Sequence, residues 1–163
     1  MAFIGSDLWK VRQKWGPGAL VWPSICAIVL NDRQQIWMGL RSDIPRWSLL
    51  GGFYEVGDGA EDCARREIYE EAGLEVSKLT MIGAMTNAAL TTTTYPNGDT
   101  VQSPALVFLA ITDNGRVTLD DEHREYIWAE LHQAIKLATP DTYDSVGLNI
   151  YQIWQETGCF QTR

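Results

Sequence analysis

No cysteine pair in this chain is spaced to hold a metal or to suggest a disulfide framework: Cys26, Cys63 and Cys159 are odd in number, far apart and form no CxxC. The default setting is therefore reducing and cytoplasmic. Basic residues are scarce, with 13 Lys and Arg against 21 Asp and Glu and a formal net charge of −8. That balance excludes a nucleic-acid binder working by broad phosphate neutralisation, although a local basic pocket for a small phosphorylated ligand stays compatible with it. Long hydrophobic runs are missing too. The start, MAFIGSDLWKVRQKWG, is interrupted by Lys10, Arg12 and Lys14, so neither a signal peptide nor a membrane span is expected. Repeats, low-complexity tracts and linker-like composition shifts are likewise lacking. At 163 residues, 45% of them hydrophobic, residues 1–163 are expected to form one domain with an ordinary core.

What is present is an alternation of β-like and helical stretches. Ser24 to Leu30 is apolar and β-branched and stops at Asn31-Asp32, as a buried strand does, and Gln35 to Leu40 reads as its hairpin partner. Arg46 to Leu50 leads into Gly51-Gly52, where the backbone can turn without a Cβ clash. Ala60 to Ala72 has helical composition, with Gly73 placed as a C-terminal cap. Leu79 to Leu90 and Val101 to Ile111 are β candidates joined by Tyr95-Pro96-Asn97-Gly98-Asp99, whose Asn-Gly signals a tight turn. A short strand over Glu125 to Ala129, a helix over Leu131 to Leu137 and a last helix over Ser145 to Gln155 follow. On that last helix Val146, Ile150, Ile153 and Trp154 recur at helical spacing. The pattern predicts an α/β fold with a mixed sheet layered by helices.

Negative charge is concentrated in the Ala60 to Ala72 helix. At about 3.6 residues per turn, Glu67, Glu70 and Glu71 share a sector of roughly 100° with the small residues Ala60, Cys63 and Ala64. They should face the protein body or a cleft, with Asp62, Arg65, Arg66 and Tyr69 on the other side. A solvated face stitched by salt bridges is the competing interpretation, and Glu61 with Arg65 and Arg66 with Glu70 are i,i+4 pairs that suit it. Glu67 and Glu71, however, are an i,i+4 pair of like charge, and no basic residue falls within their sector. A divalent cation turns that repulsion into attraction, and an all-oxygen set suits magnesium or manganese better than zinc. Magnesium commonly binds through one or two carboxylates and substrate phosphates, which implies phosphate chemistry.

Gly52, Asp58 and the run Arg66-Glu67-Ile68-Tyr69-Glu70-Glu71-Ala72-Gly73-Leu74 resemble the signature of the Nudix hydrolases, Gx5Ex7REUxEExGU, with U a bulky aliphatic. The box spans residues 52–74, and the flanking β runs extend the likeness over most of the chain. Two positions depart from the pattern: Asp58 replaces the first glutamate, and Leu50 stands where many members have a proline. Asp58 has a structural role open to it as well, as the start of a capping box Asp58-Gly59-Ala60-Glu61. Tyr95 to Asp99 is similar to a segment of some bacterial Nudix subgroups.

The resemblance implies a Nudix fold, a mixed β-sheet sandwiched between helices (α/β/α), and hydrolysis of a nucleoside diphosphate linked to a second moiety or of a nucleoside triphosphate. It implies Glu70 and Glu71 as principal ligands of Mg2+ or Mn2+. Glu67 becomes a further ligand or the base that activates water, the Gly52 carbonyl an extra oxygen donor, and Arg66 the residue that orients a catalytic glutamate. Glu122 is a candidate additional acid, with a solvated acidic turn as its alternative. His123 and His132 are expected at the surface. Trp47 is expected beside the pocket, and Tyr95 and Asp99 at the edge of the substrate cleft, where a plain hairpin turn would also account for them. A small nucleotide substrate and a homodimer follow from the resemblance, and neither nucleic acid nor membrane is expected as partner. The departures at Asp58 and Leu50 motivate one alternative function, a Nudix-fold module that binds nucleotide without turnover.

Overall fold

Strand β2 (Ser24–Leu30) is buried at all seven residues, because it runs through the middle of the sheet and has helices on both of its faces. The computed structural model describes residues 5–95, 97–113 and 116–163. Pro96 of the Tyr95 to Asp99 turn and the first four residues of the interrupted N-terminal stretch lie outside them. Among the described residues the other strands are β1 (Leu20–Val21), β3 (Ile36–Arg41), β4 (Trp47–Ser48), β5 (Val76–Met85), β6 (Thr92–Thr94), β7 (Thr100–Gln102), β8 (Ala105–Thr112), β9 (His123–Ala129) and β10 (Gln161–Thr162). The helices are α1 (Asp7–Trp15), α2 (Ala60–Ala72), α3 (Ala88–Thr91), α4 (Leu131–Leu137) and α5 (Tyr143–Thr157).

The main sheet runs in the order β10-β5-β8-β2-β3-β4, with β9 also paired to β3. It is mixed: β2 and β8 are parallel in register from Ser24↔Ala105 to Leu30↔Ile111, whereas β5 and β8 are antiparallel. The alternation of side chains along β2 divides the core in two. Ile25, Ala27 and Val29 pack with Cys63, Ala64, Ile68 and Ala72 of α2 on one face, and Cys26, Ile28 and Leu30 pack with Leu148, Ile150 and Tyr151 of α5 on the other. The molecule is therefore the expected helix–sheet–helix sandwich.

The site owes its place to a gap in this sheet. Strands β2 and β3 pair only at Leu30↔Ile36 and then diverge. The segment after β4 enters the space beside β2, through bridges Ala27↔Leu50 and Ser24↔Phe53. A smaller sheet, β1-β7-β6, flanks the opening. Its β6–β7 hairpin pairs Thr94 with Thr100 and is closed by Tyr95 N–H to the Asp99 carbonyl at 2.8 Å.

Several boundaries differ from expectation. The β run from Leu79 ends at Met85, because the Asn87 side chain accepts from Ala89 N–H and caps the one-turn helix α3. The sequence reading did not anticipate α1, which starts where the Ser6 hydroxyl accepts from Trp9 N–H at 3.1 Å. This helix is tied to the loop before α2: Asp7 N–H donates to Glu55, and Val56 N–H donates to Asp7. No helix among the described residues is long and apolar enough to cross a membrane.

Candidate active site

Helix α2 spans the residues its composition predicts, and it ends at Gly73 in the left-handed conformation (φ 66°) with Gly73 N–H donating to the Tyr69 carbonyl. Its apolar residues Cys63, Ala64, Ile68 and Ala72 sit on the sheet. That seating turns the three glutamates unequally. Glu71 is buried, 5% exposed, and accepts from Gly51 N–H at 3.4 Å. The Glu67 side chain is 12% exposed, and Glu70 stands at the rim with 57% of its side chain in solvent. All three line one cleft of about 270 Å³.

Arg66 corrects the expectation that no basic group relieves these acids. Although it leaves the helix on another side, its guanidinium curls back to Glu67 Oε1 at 2.7 Å and Glu70 Oε2 at 3.2 Å. It also donates to the Phe53 carbonyl at 2.9 Å and to Asp58 at 2.8 Å. Asp58 is thus the anchor of Arg66 and not a helix cap. The N-cap is Gly59, whose N–H is taken up by Asp62, while Asp58 Oδ2 accepts from Glu55 N–H at 3.1 Å. The Arg66 bond holds the Asp58 carboxyl below the usual range.

Gly52 is needed for space. A Cβ there would lie 2.3 Å from the Glu67 carboxyl carbon. Its carbonyl accepts from Ile25 N–H at 2.9 Å, which ties that oxygen to the sheet. Glu122 lines the cleft with Asp120, and Glu122 Oε2 is 3.8 Å from an Arg41 nitrogen. Tyr95 lines the cleft as well. Trp47 and Asp99 are not among its lining residues: the indole packs on the core beneath α5, and Asp99 accepts from the Asn97 side chain at 2.8 Å and lies 3.9 Å from Arg12.

His123 departs from its expected surface position. It is 3% exposed, its ring meets Trp37 edge-on at 5.1 Å, and its Nε2 shares a 3.0 Å hydrogen bond with the Ser48 hydroxyl. The polar run around it concealed the inward-facing first position of β9. Burial lowers the imidazole to about 4, with Arg41 adding to the effect.

Electrostatics single out the same acids. Burial is the main cause that raises the Glu71 carboxyl well above its ordinary value, and the charges of Glu122 and Glu67 add to it. Burial likewise lifts Glu67 to about 7 despite Arg66, with Glu70 and Glu122 pushing the same way. Two buried acids resisting ionisation side by side are what a divalent cation would stabilise as anions. Among the described residues, no set of three His, Cys, Asp or Glu side chains is close enough to enclose a metal. The carboxylates that line the cleft are hard oxygen donors, the kind magnesium takes alongside water and ligand phosphates. Arg46 and Asp144, which the sequence reading missed, also line the cleft. Asp144 was hidden because its partner, Leu49 N–H at 2.9 Å, is 95 positions away in the chain.

Residues 21–147 match the NUDIX domain. The nucleoside triphosphatase NudI of Escherichia coli O1:K1 / APEC is 30% identical over 135 residues, covering 76% of this chain and 95% of that protein. A putative 8-oxo-dGTP diphosphatase of Bacillus subtilis is 46% identical over 56 residues, 34% of this chain and 38% of that protein. Among solved structures, the MutT protein of Methanosarcina mazei Go1 superposes with a TM-score of 0.63 at 19% identity, covering 85% of this chain and 95% of that one. An ADP-ribose pyrophosphatase of Streptococcus suis superposes with a TM-score of 0.62 at 18% identity, covering 90% and 98%.

Proposed function

Because the chain belongs to the Nudix family, we propose that it is a divalent-metal-dependent hydrolase. Its target is the pyrophosphate bond of a nucleoside diphosphate linked to a second moiety, or of a nucleoside triphosphate. The names of its relatives, a nucleoside triphosphatase, an 8-oxo-dGTP diphosphatase and an ADP-ribose pyrophosphatase, differ in nucleoside and in leaving group. What their substrates share is a phosphoanhydride. The observation that carries the reading is the pair of inward-facing carboxyls, Glu67 and Glu71, lining one open cleft and both raised first by burial and then by neighbouring acids, Glu122 among them in each case.

Glu67, Glu70 and Glu71 are the residues that would hold Mg2+ or Mn2+, although among the described residues they do not form a ready-made three-carboxylate cluster. Bound there, such an ion would supply positive charge to the phosphate oxygens of the scissile anhydride. Where Glu67 is not itself a ligand, its carboxyl, raised by burial to about 7, is suited to take a proton from water close to neutral pH. Arg66 keeps Glu67 and Glu70 in place from its anchors at Asp58 and Phe53. Glu122, raised by burial and facing Arg41, is a second proton acceptor in the cleft. Gly52 leaves the Glu67 carboxyl room to stand in the cleft. A module that only binds nucleotide is less well supported, since the shorter Asp58 still reaches Arg66. A single domain, a homodimer and a cytoplasmic location remain part of the proposal, on the resemblance and on cysteine usage.

The test is a panel of nucleoside triphosphates, dinucleotides and nucleoside-diphosphate sugars, incubated with and without Mg2+ and read as phosphate released after added phosphatase. Turnover of at least one class only with metal is expected. Tight nucleotide binding with no metal-dependent turnover of any member would instead establish the binding module.

A further inference from the structure

One end of the cleft carries a polar pair that the hydrolytic machinery does not use. Asp144, in the first turn of α5, is 4% exposed, and its Oδ1 accepts from Leu49 N–H at 2.9 Å. Its Oδ2 faces Arg46 Nε across 3.8 Å, too far for a hydrogen bond. Arg46 Nε is buried and makes no hydrogen bond. It and the Asp144 carboxylate thus form a long ion pair on the cleft wall, and a buried donor left without a hydrogen bond is costly.

The position of this pair relative to the acids is fixed by the segment after β4. Leu49 N–H points to Asp144 and Gly51 N–H to Glu71. Amides two residues apart on extended chain are separated by about 7 Å. With a diphosphate gripped at Glu71, the pair would lie about 7 Å along that segment from the grip. A further phosphate there would bring only acceptor oxygens against the Asp144 carboxylate. A base edge lies a whole ring system farther from the phosphorus. A sugar hydroxyl is within reach and donates and accepts through a single oxygen, which can sit about 2.8 Å from both atoms.

We infer that Asp144 and Arg46 form a sugar-hydroxyl subsite that selects ribonucleotide over deoxyribonucleotide substrates, the hydroxyl donating to Asp144 Oδ2 and accepting from Arg46 Nε. This rests on the reading of the cleft as a diphosphate site. Removing the hydroxyl leaves the buried Arg46 N–H without a hydrogen bond beside its ion-pair partner, and sites built around a substrate hydroxyl discriminate strongly against analogues lacking it.

The test compares each ribonucleoside triphosphate with its 2′-deoxy and 3′-deoxy counterparts, by kcat/KM and, independently of turnover, by the rise in Tm they cause with Mg2+ present. The wild type should favour the ribonucleotide by about tenfold or more over at least one deoxy form, and that form names the hydroxyl. Asp144→Asn keeps an acceptor for Leu49 N–H, and Arg46→Met removes the Nε donor at a partly exposed position; both should reduce the preference to less than about threefold. Since the readout is a ratio, a general loss of affinity or stability in either variant does not affect it. Equal handling of ribo and deoxy forms by the wild type, or a preference undiminished in both variants, overturns the inference. Ribo-selective binding without hydrolysis would sink the hydrolase reading while upholding this one, and hydrolysis without selectivity would do the reverse.

Discussion

Burial of Glu71 beside Glu67 and Glu122 sets stability against chemistry at a single side chain. In the metal-free protein the Glu71 carboxyl is raised far above its ordinary value, burial being the first cause, so the charged form is held at a cost to the fold. Glu71→Gln keeps the shape and removes the charge. The variant should lose about 100-fold or more in kcat with Mg2+, as expected when a group that stabilises the transition state is removed. Its Tm in EDTA should be a few degrees above wild type. Steady-state kinetics and thermal melts check both halves, and a variant that is active or less stable contradicts the assignment. Asp58 permits a second comparison. The residue already meets Arg66 at 2.8 Å, so Asp58→Glu, which restores the family's glutamate, should change kcat/KM by less than about threefold. A gain of tenfold would show that the shorter side chain is a defect after all.

At the scale of elements, the close approach of the Gly51-Gly52 turn to α2 decides where Glu67 points. A methyl at position 52 would fall 2.3 Å from the Glu67 carboxyl carbon. The carboxyl is the far end of a flexible side chain and can swing away. Gly52→Ala should therefore cost activity, about tenfold or more, while shifting Tm by only a few degrees. A collapse of Tm would place the clash in the backbone instead. This helix was the most legible part of the sequence, since its limits, its Gly73 cap and its acidic face follow from local pattern alone. The legible acids of the site lie on it or, like Glu122, in a recognisable acidic turn. What escaped depends on distant partners. The Arg66 guanidinium doubles back on its own helix face, His123 turns inward from a polar run to meet Ser48, and Asp144 is placed by an amide 95 residues earlier. The β run expected over Leu79 to Leu90 stops at Met85 instead, because Asn87 starts a helical turn.

Across the whole molecule, two opposite pH dependences should meet, and metal should remove one of them. Glu67 has a folded value of about 7 against an ordinary 4.5, so the protonated form is favoured in the fold. The stability this brings is full below about 4.5 and is lost as the pH rises through about 7. Raising the carboxyl from 4.5 to about 7 corresponds to something on the order of 3 kcal/mol, and Glu71 acts in the same direction. His123 does the opposite: with a folded value of about 4 against 6.5, its contribution is present above 6.5 and is lost as the pH falls towards 4. A divalent ion between the carboxylates replaces the proton as their source of positive charge, so it should matter most where they would otherwise be ionised and unrelieved. In EDTA the Tm should fall from pH 6 to pH 8. Saturating Mg2+ should restore it at pH 8 by roughly 5–10 °C, given about 2–4 °C per kcal/mol for a chain of this size, and should have little effect at pH 5. In Glu67→Gln the EDTA slope between pH 6 and pH 8 should flatten, while the loss below 6.5 from His123 persists. Scanning fluorimetry over this pH series is sufficient to decide it. A Mg2+ shift of equal size at pH 5 and pH 8 would mean that the ion binds somewhere other than these buried acids.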